Sequence, residues 1–362
     1  MEKVFVKGCE AVAETAVRAG CRFYAGYPIT PQNQVPEYLA RKLPQVGGVF
    51  LQGESEVASI NMVYGAAAGG TRSMISSASC GISLMSETIG WCISAELPVV
   101  ICNFQRGGPG IGDIGPAQQD YNQATKAHAN GGGRMIVVAP ASLQETVDKL
   151  YGAFDLAERY RSPVYFLLDG ISGGMMESVV LPEAKSEEWV RSRKKELQAD
   201  WAINGKKGGR RREIVGGADA GLPLQTLNQK LERKYLEIEE NEVEYETYLT
   251  EDAEYIVTAY GIAARFARAA VNILRGEGYR VGMIRPVNLY PFPWAAYDEL
   301  DYSRVKGIVS TEMSIPPQFI ADVRVAVKDR APVWNYSTSG GVILETNEIV
   351  RTVLRMMGKE EA

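Results

Sequence analysis

Leu97-Pro98-Val99-Val100-Ile101-Cys102-Asn103-Phe104 is the least polar stretch of this 362-residue chain. It has the length of a strand and falls far short of the roughly 18 apolar residues that a membrane span needs. Pro98 to Phe104 therefore reads as a buried strand. Arg134 to Ala139 reads as another, stopped by Pro140, and Val164 to Leu168 as a third. Between these two, Ser142 stands as a helix N-cap with Glu145 at the capping-box spacing. Upstream, Glu10 to Ala19 is helical in pattern and Gly20 stops it. Pro36 to Lys42 looks like a second helix, and Val49 to Gln52 like a short strand. Ser55 to Gly70 is a helix ending in Ala66-Ala67-Ala68-Gly69-Gly70, residues small enough for a close backbone approach. Strands alternating with helices imply a mostly parallel α/β sheet.

The pattern breaks after Pro182. Residues 183–250 are highly charged and rich in glycine, and they read as a linker or excursion. Its later part, Leu224 to Tyr248, is a charged helix with Leu227, Leu231, Lys234 and Ile238 near one face. A second α/β unit follows: strand Tyr255 to Ala259, a helix from Gly261 to Leu274, then strands Tyr279 to Ile284 and Gly307 to Thr311. The helix shows apolar residues at Ile262, Phe266, Ala269, Ala270 and Ile273. The expected division is 1–182, 183–250 and 251–362.

Composition narrows the function. With 46% apolar and 23% charged residues and a net charge of -5, the chain has no basic field for nucleic acid. The one basic run, Lys206 to Arg212, reads as a solvated loop. Val4 to Val6 is too short for the apolar core of a secretory signal. Neither a nucleic acid nor a membrane is expected as partner. Five cysteines without a Cys-x-x-Cys pair argue against an iron–sulfur cluster or zinc held by this chain alone, and for a reducing, cytoplasmic compartment. One histidine, His128, and no dense carboxylate cluster leave no metal site to propose. His128 by itself reads as a structural or surface residue.

Several motifs have a bland and a functional reading. Gly110-Ile111-Gly112-Asp113-Ile114-Gly115 matches the dinucleotide fingerprint after a strand. Pro116 follows directly, however, and no acidic residue stands where a ribose partner is expected, so a nicotinamide dehydrogenase is only a rival reading. The turn Gly26-Tyr27-Pro28-Ile29-Thr30-Pro31 has its backbone fixed by two prolines. It is either a plain connection or a mount that presents Thr30 to a ligand. Glu56 opens the small-residue helix, where a carboxylate is favoured by the helix dipole alone. Arg106 follows an apolar strand, at the end where α/β sheets bind ligands, and its fork suits a small carboxylate. A loop salt bridge is the alternative.

These places also carry a family resemblance. The Gly26–Pro31 turn, the run Glu54-Ser55-Glu56-Val57-Ala58 through Tyr64-Gly65-Ala66-Ala67, and Gln105-Arg106-Gly107-Gly108-Pro109 come in order. Gln118-Gln119-Asp120-Tyr121 and Val138-Ala139-Pro140-Ala141-Ser142 follow, then Arg285-Pro286 and Pro291-Phe292-Pro293. Together they resemble the alpha subunits of 2-oxoacid:ferredoxin oxidoreductases, the branched-chain 2-oxoisovalerate type above all and the 2-oxoglutarate type next.

The resemblance implies a pyrimidine-type thiamine diphosphate domain followed by a transketolase C-terminal-like domain. It implies coenzyme-A-dependent oxidative decarboxylation of a 2-oxoacid, a branched-chain one first and 2-oxoglutarate or an aryl 2-oxoacid next, with ferredoxin as acceptor. The partners would be a beta subunit sharing the cofactor and carrying the diphosphate and Mg2+ site, a gamma subunit, and a ferredoxin-like iron–sulfur subunit holding clusters; the chain alone would be inactive. Glu56 would contact the aminopyrimidine ring nitrogen, Thr30 would hydrogen-bond the substrate, and Arg106 would pair with its carboxylate. Tyr27, Pro28, Ile29, Ser79 and Cys80 would line the cofactor beside Glu56. Val57, Ile60 and Met62 would desolvate that carboxylate. A scaffolding subunit without chemistry is the non-catalytic rival.

Overall fold

A computed structural model describes residues 2–128, 130, 132–205, 212–216 and 223–359. All of the Lys206 to Arg212 run except Arg212 lies outside these residues. The first unit runs β1 (Glu2–Lys7), α1 (Gly8–Arg18), β2 (Phe23–Gly26), α2 (Gln34–Lys42), β3 (Val49–Gln52), α3 (Glu56–Ala68), β4 (Ser73–Ser77), α4 (Ser79–Ser94) and β5 (Val99–Gly107). It continues with β6 (Asp113–Pro116), β7 (Ile136–Val138), α5 (Leu143–Tyr160), β8 (Val164–Asp169), α6 (Gly170–Gly174) and β9 (Met176–Leu181). Then come α7 (Glu187–Asp200), α8 (Leu224–Asn241), β10 (Tyr245–Tyr248), β11 (Tyr255–Thr258), α9 (Ala263–Gly276), β12 (Val281–Pro286) and β13 (Asn288–Tyr290). The chain closes with α10 (Trp294–Asp298), β14 (Gly307–Glu312), α11 (Phe319–Val327), β15 (Val333–Ser337) and α12 (Thr346–Met356).

The main sheet is ordered β13-β7-β8-β5-β4-β2-β3, with β6 paired to β5 off this path. β2, β3, β4, β5, β7 and β8 run parallel. Both faces are covered, which is why β5 reads as an unbroken apolar run. Val99 and Ile101 face the core formed with Ile60, Val63, Ile82, Met85 and Ile89 of α3 and α4. Val100, Cys102 and Phe104 face the opposite core with Val12, Leu39, Leu150 and Phe154 of α1, α2 and α5. Alternation along the strand divides the residues in this way. Ser142 caps α5 by accepting from the Glu145 amide at 3.2 Å, and the Glu145 carboxylate accepts from the Ala141 amide at 2.7 Å.

The second sheet is ordered β10-β12-β11-β14-β15. β13 leaves this unit to pair antiparallel with β7, so the two sheets are stitched together. A continuous core joins Ile60 and Ile75 to Ile256, Tyr260 and Phe319.

Three expectations differ from the structure. The stretch 183–250 holds two helices, and β10 is an edge strand paired with β12. Helix α7 is nearly all polar and buries only Leu197, so its periodicity carries little signal. The buried face of α9 is Ala263, Ala264, Ala267, Ala270, Val271 and Leu274, whereas Ile273 is exposed. Gly110 to Gly115 forms a hairpin: β6 folds back antiparallel on β5, pairing Arg106 with Pro116 and Gly107 with Asp113. No helix starts on the third glycine, so the phosphate cradle of a dinucleotide site is missing and the nicotinamide reading fails on geometry. Among the described residues, no helix is long and apolar enough to cross a membrane.

Candidate active site

The carboxyl ends of β2, β3, β4 and β5 lie side by side, and each delivers one element of a cleft. β2 ends in the turn carrying Thr30. Three bonds pin that turn from below. Ser76 Oγ donates to Gln32 Oε1 at 2.6 Å, Tyr24 Oη lies 2.8 Å from Ser76 Oγ, and the Gln32 amide donates to Ile29 O at 3.1 Å. Thr30 Oγ1 accepts a long bond from Asn33 Nδ2 at 3.4 Å, which leaves its own hydrogen free to donate. Tyr27 and Pro28 are exposed at the rim, with Ile29 half-buried.

After β3, Ser55 caps α3 by accepting from the Ala58 amide at 3.2 Å, and Glu56 takes the first helical position. Glu56 is 6% exposed. No side-chain hydrogen bond or ion pair holds its carboxylate among the described residues. That is unusual, because buried carboxylates are normally paired or bonded. Of the apolar residues expected around it, Ile60 is buried, Met62 is half-buried and Val57 is exposed. Facing it, α4 presents Gly81, where a Cβ would come within 2.6 Å of Glu56 Oε1 and 2.1 Å of Ser77 Oγ. Ser77 Oγ is likewise buried without a partner.

Arg106 comes from the end of β5 and is 7% exposed. One Nη1 hydrogen goes to Thr30 O at 3.0 Å and one from Nη2 to Cys80 Sγ at 3.2 Å, while Nε has no partner. No acidic side chain pairs with it among the described residues, which answers the loop-salt-bridge reading. Ser79 Oγ donates to Asp120 Oδ2 at 2.6 Å and accepts from the Arg106 amide at 3.0 Å. The Ser79 amide donates to Asn103 Oδ1 at 3.0 Å, capping α4. The structure thus gathers Thr30, Glu56, Ser79, Cys80 and Arg106 into one cleft. The sequence reading missed Ser77, Gly81 and Asn103, none of which lies in a motif. It quoted Asp120 without assigning it a role.

His128 lies apart from this cleft. It is buried, with Nδ1 2.8 Å from Ser86 Oγ, and burial lowers its pKa to about 4.

Residues 14–256 match the family model described as pyruvate flavodoxin/ferredoxin oxidoreductase, thiamine diphosphate-binding. Residues 253–349 match the pyruvate:ferredoxin oxidoreductase core domain II. The chain belongs to the 2-oxoacid:ferredoxin oxidoreductase family.

Within this family it is similar to the ketoisovalerate oxidoreductase subunit VorB of Methanothermobacter thermautotrophicus, 42% identical over 99% of each chain. The 2-oxoglutarate synthase subunit KorA of Methanocaldococcus jannaschii is 35% identical over 98% of this chain and 100% of that one. The oxidoreductase fold is shared with the 2-oxoglutarate:ferredoxin oxidoreductase from Magnetococcus marinus. That likeness has a TM-score of 0.83 at 24% identity, over 98% of this chain and 65% of that one. A split-gene transketolase described as an inactive beta4 tetramer shares it more distantly, with a TM-score of 0.62 at 15% identity. This oxidoreductase subunit therefore has the expected fold class: a thiamine-diphosphate-type α/β unit followed by a transketolase-like one.

Proposed function

We propose that this chain is the alpha subunit of a coenzyme-A-dependent 2-oxoacid:ferredoxin oxidoreductase that acts on a branched-chain 2-oxoacid. The greater similarity to the ketoisovalerate enzyme than to the 2-oxoglutarate enzyme supports that choice of substrate. A 2-oxoglutarate specificity is the alternative within the family.

One observation carries the reading: a buried carboxylate with no partner, Glu56, in the same cleft as a buried guanidinium with no counter-ion, Arg106. An orphaned carboxylate fits the ring N–H of an aminopyrimidine, and Gly81 leaves Glu56 Oε1 and Ser77 Oγ the space that a Cβ would take. Tyr27, Pro28, Ile29, Ser79 and Cys80 would line the same group. Bound thiamine diphosphate supplies a carbon nucleophile and an electron sink for the bond that releases carbon dioxide. Glu56 holds a proton at the pyrimidine ring nitrogen, away from water. Arg106 retains uncommitted N–H donors for the substrate carboxylate. Thr30 would donate its hydroxyl to the substrate from a turn held by Gln32 and Ser76.

The diphosphate and its Mg2+ would be held by a beta subunit, with clusters on further subunits; no group of His, Cys, Asp and Glu fit for a metal exists among the described residues. Val57 of α3 and Leu84 and Trp91 of α4 are exposed apolar side chains, which supports a partner packing against these two helices. We keep 1–182 as the pyrimidine-binding domain and 251–362 as the transketolase C-terminal-like domain, with β10 assigned to the latter's sheet.

The test is Glu56→Gln in the assembled complex, assayed with 2-oxoisovalerate, coenzyme A and a viologen dye. The subunits should still co-purify while turnover falls about 100-fold or more, the usual worth of a positioned acid–base group. Unchanged turnover would leave Glu56 structural.

A further inference from the structure

The segment Gln118-Gln119-Asp120-Tyr121 bonds to both the site and the second unit, and the proposed function gives none of its residues a role. Its side chains alternate between two tasks. Gln118 Nε2 donates to Tyr260 O at 3.0 Å, and its Oε1 accepts from the Met313 amide at 3.0 Å. Gln119 Oε1 accepts from the Gly108 amide at 2.6 Å, just beyond Arg106, while the Gln119 carbonyl accepts from Gln318 at 2.6 Å. Tyr121 donates to Asp322 at 2.5 Å and packs its ring against Tyr260 and Phe319. Tyr260, Met313, Gln318, Phe319 and Asp322 all belong to the second unit, so the segment is fastened there from both sides.

Asp120, held between these anchors, points the other way. Its Oδ2 accepts from Ser79 Oγ at 2.6 Å and from Asn103 Nδ2 at 2.7 Å. Its amide is fixed by Gln105 Oε1 at 3.1 Å. Burial raises the Asp120 carboxyl above the ordinary aspartate range, and the Ser79 and Asn103 bonds oppose that shift. The other ends of those two bonds are the site itself. Ser79 Oγ receives the Arg106 amide, and Asn103 Oδ1 receives the Ser79 amide. One carboxylate oxygen thus ties the end of β5, which carries Arg106, to the first turn of α4, which carries Cys80.

We infer that Asp120 is a positioning residue for substrate binding, acting through Ser79 to fix the backbone of Arg106. The inference rests on the assignment of Arg106 to the substrate carboxylate. Without Asp120, the Ser79 hydroxyl loses its shorter acceptor and is left with the longer one, the Arg106 carbonyl at 3.3 Å, so it reorients at the end of β5. The guanidinium then samples several positions relative to Thr30 and Cys80. The carboxylate contact weakens, whereas Glu56, held by α3, is untouched.

The experiment uses the assembled complex, with Asp120→Ala, Ser79→Ala, the double variant and Arg106→Leu titrated with 2-oxoisovalerate. Asp120→Ala is expected to raise KM about tenfold, with kcat changing by less than about threefold, as removal of a binding contact does. Because the two residues act in series, the double variant should resemble the more damaged single variant, well short of the product of the two effects. Asp120→Asn keeps an oxygen for both donors without the charge; it should raise KM less, and it carries the test if the alanine variant does not assemble. Multiplicative effects, or a loss confined to kcat, would overturn the inference. If Arg106→Leu raises KM and Asp120→Ala does not, only this inference falls. If Arg106→Leu leaves KM unchanged, the assignment of Arg106 falls with it.

Discussion

The two ends of the main sheet each bury an arginine, and they treat it in opposite ways. At the amino end, Arg72 just before β4 is 7% exposed. Its Nε donates to Glu158 Oε1 at 2.8 Å, Nη2 to Glu158 Oε2 at 2.9 Å and to Asp155, and Nη1 to Ala19 O at 2.7 Å. The guanidinium also stacks on Trp189. At the carboxyl end Arg106, equally buried, meets a carbonyl, a thiol and no carboxylate. A buried cation costs several kcal/mol unless paired. The amino end meets that cost within the chain. The carboxyl end leaves it open, and the same end of the sheet holds an unpaired carboxylate and an unpaired Ser77 hydroxyl, the features on which the proposed site rests. On the proposed function, the contrast separates an arginine that holds the fold from one that would hold a ligand.

The largest effect that would break this contrast is on stability. Glu158→Leu combined with Asp155→Leu strands Arg72 at the amino end and should destabilise the chain by about 3–5 kcal/mol. Thermal unfolding should shift accordingly, while turnover at low temperature stays near wild type. Gly81→Ala works at the other end. Its Cβ would collide with Glu56 Oε1 and Ser77 Oγ, both within 2.6 Å. A misplacement of this size costs about 100-fold in kcat, and relieving the overlap costs about 1–3 kcal/mol of stability, less than the loss at the amino end. Arg106→Leu removes a charged contact worth about 1.5–3 kcal/mol, so KM for the 2-oxoacid should rise about tenfold or more. Stability should hold, since no ion pair is lost; a large drop would make Arg106 a second Arg72.

The smallest effect concerns His128, which belongs to neither end. Its folded pKa, about 4, lies below the unfolded value near 6.5. The unfolded state therefore takes up the proton first as pH falls. His128 costs nothing above about pH 6.5, and stability is lost progressively from there toward pH 4. At pH 5 the penalty is about 2 kcal/mol. Denaturant titrations of wild type and His128→Phe at pH 7.5 and 5 should show the variant losing less on acidification; equal losses would mean the imidazole is protonated in the fold.

Much of this was legible because it rests on local patterns. The strands β3, β5, β7 and β8 show as short apolar runs, and the Ser142 cap shows as a spacing. Thr30, Glu56 and Arg106 stand at the carboxyl ends of strands, where sheet topology alone suggests ligands. The rest depends on tertiary contact. Helix α7 hides because its stability comes from Arg193 bonding Glu158 and from a single buried leucine. β1 pairs only with the distant β9, so nothing nearby announces it. The Gly110 to Gly115 fingerprint misleads because its glycines serve a hairpin: Gly107 and Gly115 lie against Gly340 and Gly341, with no room for side chains. Asp120 sat in a quoted motif, but its partners Ser79 and Asn103 are 41 and 17 residues away.

The most direct measurement is a structure of the assembled complex with thiamine diphosphate bound. The Glu56 carboxylate should lie within about 2.6–3.2 Å of the aminopyrimidine ring nitrogen. A carboxylate turned to solvent, or a pyrimidine seated away from α3, would contradict the account.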